Sequence, residues 1–175
     1  MKKVFFLLGH LSDVDIEWLI DNGQASDLEV GDQLITRNKK VENLYIILSG
    51  SLSIIGNNQT SMATIGQGEI VGEMSFLESH PPSVSVIAIE ETTVFSISRD
   101  KVMKRLDENI EFRANFYYSI SLFLSSRLRH TTQNLGFGNA QEEEDAIDAI
   151  NENVLDEVSQ AGSRFNQILQ KFHEV

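Results

Sequence analysis

The 175-residue chain contains no cysteine, and this absence removes several kinds of site at once. A disulfide framework, a zinc site with thiolate ligands and a cysteine nucleophile all require that side chain. The four histidines are scattered without the short spacing of metal ligands, so the sequence predicts no metal site. No pairing of a nucleophile with a base stands out either. We therefore expect a protein that is not an enzyme.

Positive charge is scarce, since 14 lysines and arginines stand against 26 aspartates and glutamates, for a net charge of −12. Nucleic-acid backbones attract basic surfaces, so we do not expect direct binding to DNA or RNA. Long apolar runs are also missing. The run at residues 4–8 ends at Gly9 and His10 and is too short for a membrane span or an export signal. We expect a cytoplasmic protein that does not bind membranes.

Short β-rich segments separated by turns occupy residues 26–98. The predicted strands are residues 28–30, 33–36, 44–48, 52–55, 62–65, 83–89 and 93–97. Turn signals such as Gly31-Asp32 and Ser49-Gly50 lie between them. Strands that are this short and this regularly interrupted predict a small sandwich or jelly roll.

Helical patterns flank the strands on both sides. Residues 11–20 predict a short helix, with Ser12 as its N-cap and Asp15 at the third helical position. Another short helix is expected at residues 100–106, and a long one at residues 109–134.

The long helix has two apolar faces, and each needs a partner. One stripe runs through Phe112, Phe116, Ile120 and Phe123, and the other includes Tyr117 and Leu128. We expect the β-rich domain to cover one face. The same helix of a second chain is expected to cover the other, so that residues 109–134 form the interface of a homodimer. The alternative partner is the chain's own C-terminal tail.

The segment that follows the long helix is acidic. Residues 135–138 contain two glycines that should end the helix, and residues 141–145 form an acidic run. Apolar residues then recur every three or four positions as far as Phe172, which predicts an amphipathic helix, or two helices broken near Gly162. The predicted domains are residues 1–134 and an acidic helical tail of residues 135–175.

One stretch carries a family resemblance. Residues 65–86, IGQGEIVGEMSFLESHPPSVSV, resemble the phosphate-binding cassette of the cyclic nucleotide-binding domain family. Residues 29–35 and 43–52 are similar to that family's early turn and its strand–turn–strand signature. The resemblance covers residues 5–134. It implies a mainly β fold with flanking helices: a β-barrel or jelly roll (a double-stranded β-helix) followed by a long C-terminal helix.

The resemblance also implies a ligand site. Glu73 occupies the position of the acidic residue that accepts a hydrogen bond from the ribose 2′-hydroxyl in this family. The backbone N–H groups of Gly72, Met74 and Ser75 would cradle the phosphate. Further on, the Ser83 hydroxyl could donate to a phosphate oxygen.

Four more residues belong to the implied site. Val84 stands where the family usually has a small residue, which predicts a tighter pocket, and Ser85 follows it in the strand. In the catabolite-activator branch, hydroxyl residues late in the long helix reach the purine across the dimer. Thr131 and Thr132 are therefore candidate contacts of the base.

The cassette departs from the family pattern at Pro82, where the family has an arginine that pairs with the phosphate. A hydrogen bond to a charged group contributes about 1.5–3 kcal/mol, or roughly tenfold to a hundredfold in affinity. The implied ligand, cAMP or cGMP, is therefore expected to bind weakly. Arg37, Lys39 and Lys40 lie in an earlier loop, but nothing in the sequence places them beside Pro82.

Two functions remain open. The first is a non-enzymatic sensor or regulatory module that binds cAMP or cGMP and signals through its helices to an unknown protein effector. The alternative is a degenerate domain that binds no nucleotide and serves as a scaffold for protein interactions. A transcription regulator would need a helix-turn-helix after residue 135. The segment there has only about 40 residues and a net negative charge, so it is too short and of the wrong charge for that motif.

Overall fold

Two four-stranded antiparallel sheets form the centre of the protein. The computed structural model describes residues 4–78, 80–134 and 152–173. The helices are α1 (Val4–His10), α2 (Asp13–Asn22), α3 (Glu73–Glu78), α4 (Arg99–Glu108), α5 (Ile110–Asn134) and α6 (Glu152–His173). The strands are β1 (Gly23–Leu28), β2 (Gln33–Ile35), β3 (Asn43–Ser49), β4 (Ser51–Ile55), β5 (Ser61–Gly66), β6 (Ile70–Val71), β7 (Ser85–Ala88) and β8 (Thr92–Ser98).

The strand order confirms the predicted jelly roll. One sheet has the order β1-β8-β3-β6 and the other β2-β7-β4-β5, so all neighbours except β4 and β5 are strands that do not follow one another in the chain. Apolar side chains from both sheets, including Ile47, Leu52, Val86 and Val94, form a buried core. Among the described strands, no pairing joins one sheet to the other, so the sheets are not closed into the barrel that the resemblance implied.

Six of the predicted strands are present, and two strands differ from the prediction. The strand predicted at residues 28–30 is wrong, because β1 ends at Leu28. Its sequence, GQASDL, lacks apolar alternation and is held by pairing with β8, from Gly23 opposite Ile97 onward. The two-residue β6 was not predicted, and it pairs with β3 at Tyr45 and Ile46.

The helix predictions are confirmed for α2, α4 and α5. Ser12 and Asp15 form a capping box, in which the Ser12 side chain accepts from the Asp15 backbone N–H and the Asp15 side chain accepts from the Ser12 N–H. This motif satisfies donors that a helix N-terminus leaves open, which explains where α2 begins.

The inner face of α5 is buried as its apolar stripe predicts. Phe112, Phe116, Ile120 and Phe123 share one core with residues of β3, β6 and β8. The Phe116 ring lies 5.5 Å from the Phe76 ring of α3, which brings α5 against the cassette. The outer face of the same helix stays exposed, and Leu128 keeps 65% of its surface accessible.

The C-terminal helix is continuous through Gly162, so of the two predicted alternatives the single helix is confirmed over Glu152–His173 and the break near Gly162 is not found. It packs on α1 and α2, and α1 in turn packs on α5. Arg164 fixes this contact by donating to Asp13 and to the carbonyl oxygens of Leu8 and Gly9. The predicted helix end at residues 135–138 and the acidic run at residues 141–145 lie outside the described residues.

None of the helices in the described part of the chain combines the length and the apolar composition needed to cross a bilayer.

Candidate functional site

The cassette begins at a glycine that the backbone requires. Gly72 has φ +93°, a conformation that residues with a Cβ rarely adopt. A Cβ there would also lie 2.8 Å from the Asn43 carbonyl oxygen and 3.3 Å from a Val41 methyl carbon. The sharp turn at Gly72 directs the chain from β6 into α3, so that Glu73 enters the interior at the first position of the helix.

Glu73 is buried and forms an ion pair with Arg127 of the long helix. It is 2% exposed, and Arg127 Nη1 donates to its Oε1. Arg127 also donates through Nη2 to the Ile70 carbonyl oxygen at 3.1 Å, and the same nitrogen lies 3.7 Å from Glu69 Oε2. The guanidinium carbon stands 4.7 Å from the centroid of the Phe123 ring, a cation–π contact. One side chain thus connects β6, α3 and α5.

The electrostatics of Glu73 follow from this burial. Removal from water raises the pKa of Glu73 above its ordinary value of 4.5, and the Arg127 charge opposes that shift. The nearby Glu69 carboxylate adds a smaller contribution that raises the pKa further. A carboxylate has about four acceptor positions on its two oxygens, so the pairing with Arg127 leaves capacity to accept a ligand hydroxyl.

Arg127 was not among the residues selected from the sequence, although a signal for it exists. It continues the buried stripe of α5, since it follows Phe123 by four positions, as Ile120 follows Phe116. An arginine on an otherwise apolar face needs an acidic partner. Glu69 and Glu73 are acidic residues four positions apart in the cassette, and both lie near Arg127 in the structure.

The other predicted residues of the helical turn differ in exposure. Ser75 is buried, whereas the Met74 side chain is 55% exposed on the outer face of α3. The predicted role of both residues depends on their backbone N–H groups, so this difference does not test it.

Residues 82–85 form the opposite side of the cassette. The Pro82 carbonyl oxygen accepts from the Asn38 N–H at 2.9 Å. Ser83 is exposed and Val84 is half-buried. The Ser85 hydroxyl oxygen accepts from the Arg37 N–H at 3.1 Å and from Gln33 Nε2 at 2.9 Å, which gives this predicted contact residue a structural role.

The threonines predicted to contact the base lie in the last turn of α5. Thr131 donates to the Arg127 carbonyl oxygen at 2.9 Å and Thr132 to that of Arg129 at 2.8 Å. Because Thr131 lies four residues after Arg127, it is on the same side of the helix, one turn beyond the Glu73 ion pair. Both hydroxyl oxygens retain acceptor capacity.

Comparison with known families identifies the domain. Residues 26–109 match the family model of the cyclic nucleotide-binding domain. This segment is a cyclic nucleotide-binding domain. Domains of this family are generally regulatory and not catalytic, even where a relative carries a kinase domain elsewhere in its chain.

Two solved structures show the same fold. A cyclic nucleotide-binding domain from Methylobacillus flagellatus has a TM-score of 0.67 at 23% identity, over 75% of this chain and 81% of the other. The regulatory domain of Toxoplasma gondii protein kinase A, crystallised with cAMP, has a TM-score of 0.52 at 24% identity, over 59% of this chain and 44% of the other.

A curated relative matches in sequence. The cGMP-dependent protein kinase of Plasmodium berghei is 23% identical over an alignment of 120 positions that covers 63% of this chain. The same alignment covers 14% of the kinase, so the chain spans only a small part of this relative's length.

The raised pKa of Glu73 predicts a pH dependence of folding stability that Glu73→Gln should remove. The folded chain holds the Glu73 proton to a higher pH than the unfolded chain does. Unfolding therefore releases a proton in the interval from pH 4.5 to the folded-state pKa, and the free energy of unfolding falls as pH rises through it. Denaturant titrations at a series of pH values would measure the unfolding free energy of wild type and of Glu73→Gln. The wild-type value minus the Glu73→Gln value should decline as pH rises across this interval.

The control is Met74→Ala, an exposed neighbour without a titrating group. It should change the unfolding free energy by the same amount at every pH. A difference between wild type and Glu73→Gln that stays constant or grows as pH rises would contradict the raised pKa.

Proposed function

We propose that this protein is a regulatory, non-catalytic module that binds cAMP or cGMP in the cassette and signals through its helices to a protein effector. The observation that carries the proposal is the ion pair between Glu73 and Arg127. It holds the carboxylate that would accept the ribose hydroxyl and ties it directly to α5. The relatives support the ligand class, since one is named a cGMP-dependent kinase and another was crystallised with cAMP.

Calorimetric titration with cAMP and with cGMP tests the binding step. We expect micromolar to submillimolar affinity, because the cassette itself offers the phosphate no arginine at residue 82, and a contact of that kind contributes roughly tenfold to a hundredfold. Glu73→Ala should abolish binding, whereas Glu78→Ala, an exposed acid on the same helix, should leave it unchanged. Circular dichroism of each variant checks that it is folded.

The absence of heat up to millimolar nucleotide would contradict this function and favour the alternative, a domain that binds no nucleotide and serves as an interaction scaffold. This alternative rests on Pro82 and Val84 together. In that case Glu73→Ala should leave partner binding unchanged, and removal of residues 140–175 should disrupt it.

Signalling requires that the nucleotide bind one arrangement of α5 more tightly than another. Trp18 is the only tryptophan of the chain, and its ring lies 5.7 Å from Phe112 of α5 and 4.8 Å from the Arg105 guanidinium of α4. Its fluorescence therefore reports on the packing of α5 against α2 and α4. Saturating nucleotide should change the Trp18 emission in wild type, and Arg127→Gln should reduce that change.

Arg129→Gln provides the matched control, because Arg129 lies on the exposed side of the same helix. It should respond to nucleotide as wild type does. If Trp18 emission in wild type does not change when nucleotide saturates the site, the proposed coupling is contradicted.

We also propose that the outer face of α5 pairs with the same helix of a second copy. Ile110, Tyr117, Tyr118 and Leu128 are exposed, and Ile110 and Leu128 lie about 27 Å apart along the helix. The chain's own C-terminal helix packs on α1 and α2 instead. A long stripe on one helix suits a two-fold interface, in which each copy presents the same surface.

Sedimentation velocity measures this association. Wild type should sediment as a dimer at micromolar concentration, and Leu128→Glu should shift it to the monomer because a charge would be buried at the interface. Val30→Glu, at an equally exposed valine away from α5, should remain dimeric. A wild-type monomer at all concentrations would contradict the homodimer.

A further inference from the structure

We propose that Arg37 supplies, from a neighbouring loop, the phosphate-binding cation that the cassette lacks at Pro82. The inference rests on the proposed function, because the group recognised is the phosphate of the same nucleotide. It adds a residue outside the cassette to the ligand site.

Backbone hydrogen bonds hold the Arg37 loop against the cassette. The Arg37 N–H donates to the Ser85 hydroxyl oxygen, and the Asn38 N–H donates to the Pro82 carbonyl oxygen. Strand β2 pairs with β7 so that Ile35 lies opposite Val86. Continued by two residues, this antiparallel register brings Arg37 beside Val84, within the segment where the family arginine would stand.

The loop itself is shaped by local interactions. The Lys39 N–H donates to the Thr36 carbonyl oxygen at 3.1 Å, which closes a turn around Arg37. Asn38 has φ +60°, a left-handed conformation that asparagine adopts more readily than most residues. Gln33 adds a second bond to Ser85 from β2. The main chain at Arg37 is therefore fixed on both sides.

The Arg37 side chain has an unused donor. Its Nε is buried and has no hydrogen-bond partner, and none of the ion pairs among the described residues involves Arg37. Buried N–H groups are normally paired, so one that is not calls for an explanation. A phosphate oxygen is an acceptor of the required kind, and the planar guanidinium can bind phosphate through two parallel hydrogen bonds.

The two lysines of the same loop do not share these properties. Lys39 and Lys40 are exposed, so their ammonium groups are solvated and lose less by remaining unpaired. They serve as matched controls of the same charge in the same loop.

The experiment measures cAMP and cGMP affinity by calorimetry for Arg37→Ala, Arg37→Lys and Lys39→Ala, with thermal unfolding of each variant to check folding. Arg37→Ala should weaken binding roughly tenfold to a hundredfold, and Arg37→Lys should recover part of that loss. Lys39→Ala should stay within about twofold of wild type. Adding Pro82→Arg to Arg37→Ala should restore the affinity, because the family arginine then supplies the missing charge.

Wild-type affinity in a folded Arg37→Ala variant would overturn the inference and leave the proposed function intact. If wild type binds neither nucleotide, the proposed function fails, and inorganic phosphate becomes the probe. The Arg37 Nε–H signal in a nitrogen-15 NMR spectrum, assigned by its absence in Arg37→Lys, would then decide. A saturable shift with phosphate would support an anion site at Arg37, and no shift would overturn it.

Discussion

The ion pair between Arg127 and Glu73 is the interaction on which the arrangement of cassette and long helix depends. A buried carboxylate is tolerated only with a partner, and removal of one member of a buried pair typically costs about 3–5 kcal/mol. Arg127 also binds the Ile70 carbonyl and stacks on Phe123, so the guanidinium is held from three directions. Glu73, which would bind the ligand, and α5, which would transmit the binding signal, are therefore joined by one contact.

This contact also explains why α5 connects the site to the rest of the fold. Its inner face packs on β3, β6 and β8 through four large apolar side chains, and closely packed interiors transmit displacement because they contain little free volume. Beyond α5, α1 contacts both that helix and α6. Packed side chains thus connect Arg127 to the C-terminal helix without interruption. Glu73, the cassette residue that pairs with Arg127, lies at the other end of this connection.

The sequence predicts the parts of this molecule that carry strong local signals. The capping box at Ser12, the apolar period of α5 and the glycine-marked cassette are each encoded within a few residues, so α2, α4, α5 and six strands are recovered, whereas α1 was not predicted. Strand β1 is polar and exists because β8 pairs with it, which no local pattern reveals. The same limit applies to the site. Glu73 follows from the cassette, but its partner Arg127 is 54 positions away in the chain. Arg37 is 48 positions from Ser85, to which its N–H donates, and only the fold brings these residues together.

The contact between α1 and α6 has a consequence for the order in which the protein folds. Arg164 binds the carbonyl oxygens of Leu8 and Gly9 across 156 and 155 positions. Contacts of such separation carry a large loop-closure cost and form slowly relative to local ones. During synthesis the two sheets can pair before Arg164 leaves the ribosome, while the buried Leu7 and Leu8 of α1 still lack the contact that α1 makes with α6. Among the described helices, α6 is thus the last to pack on the hydrophobic core, and a nascent chain stalled before it would leave apolar surface of α1 exposed.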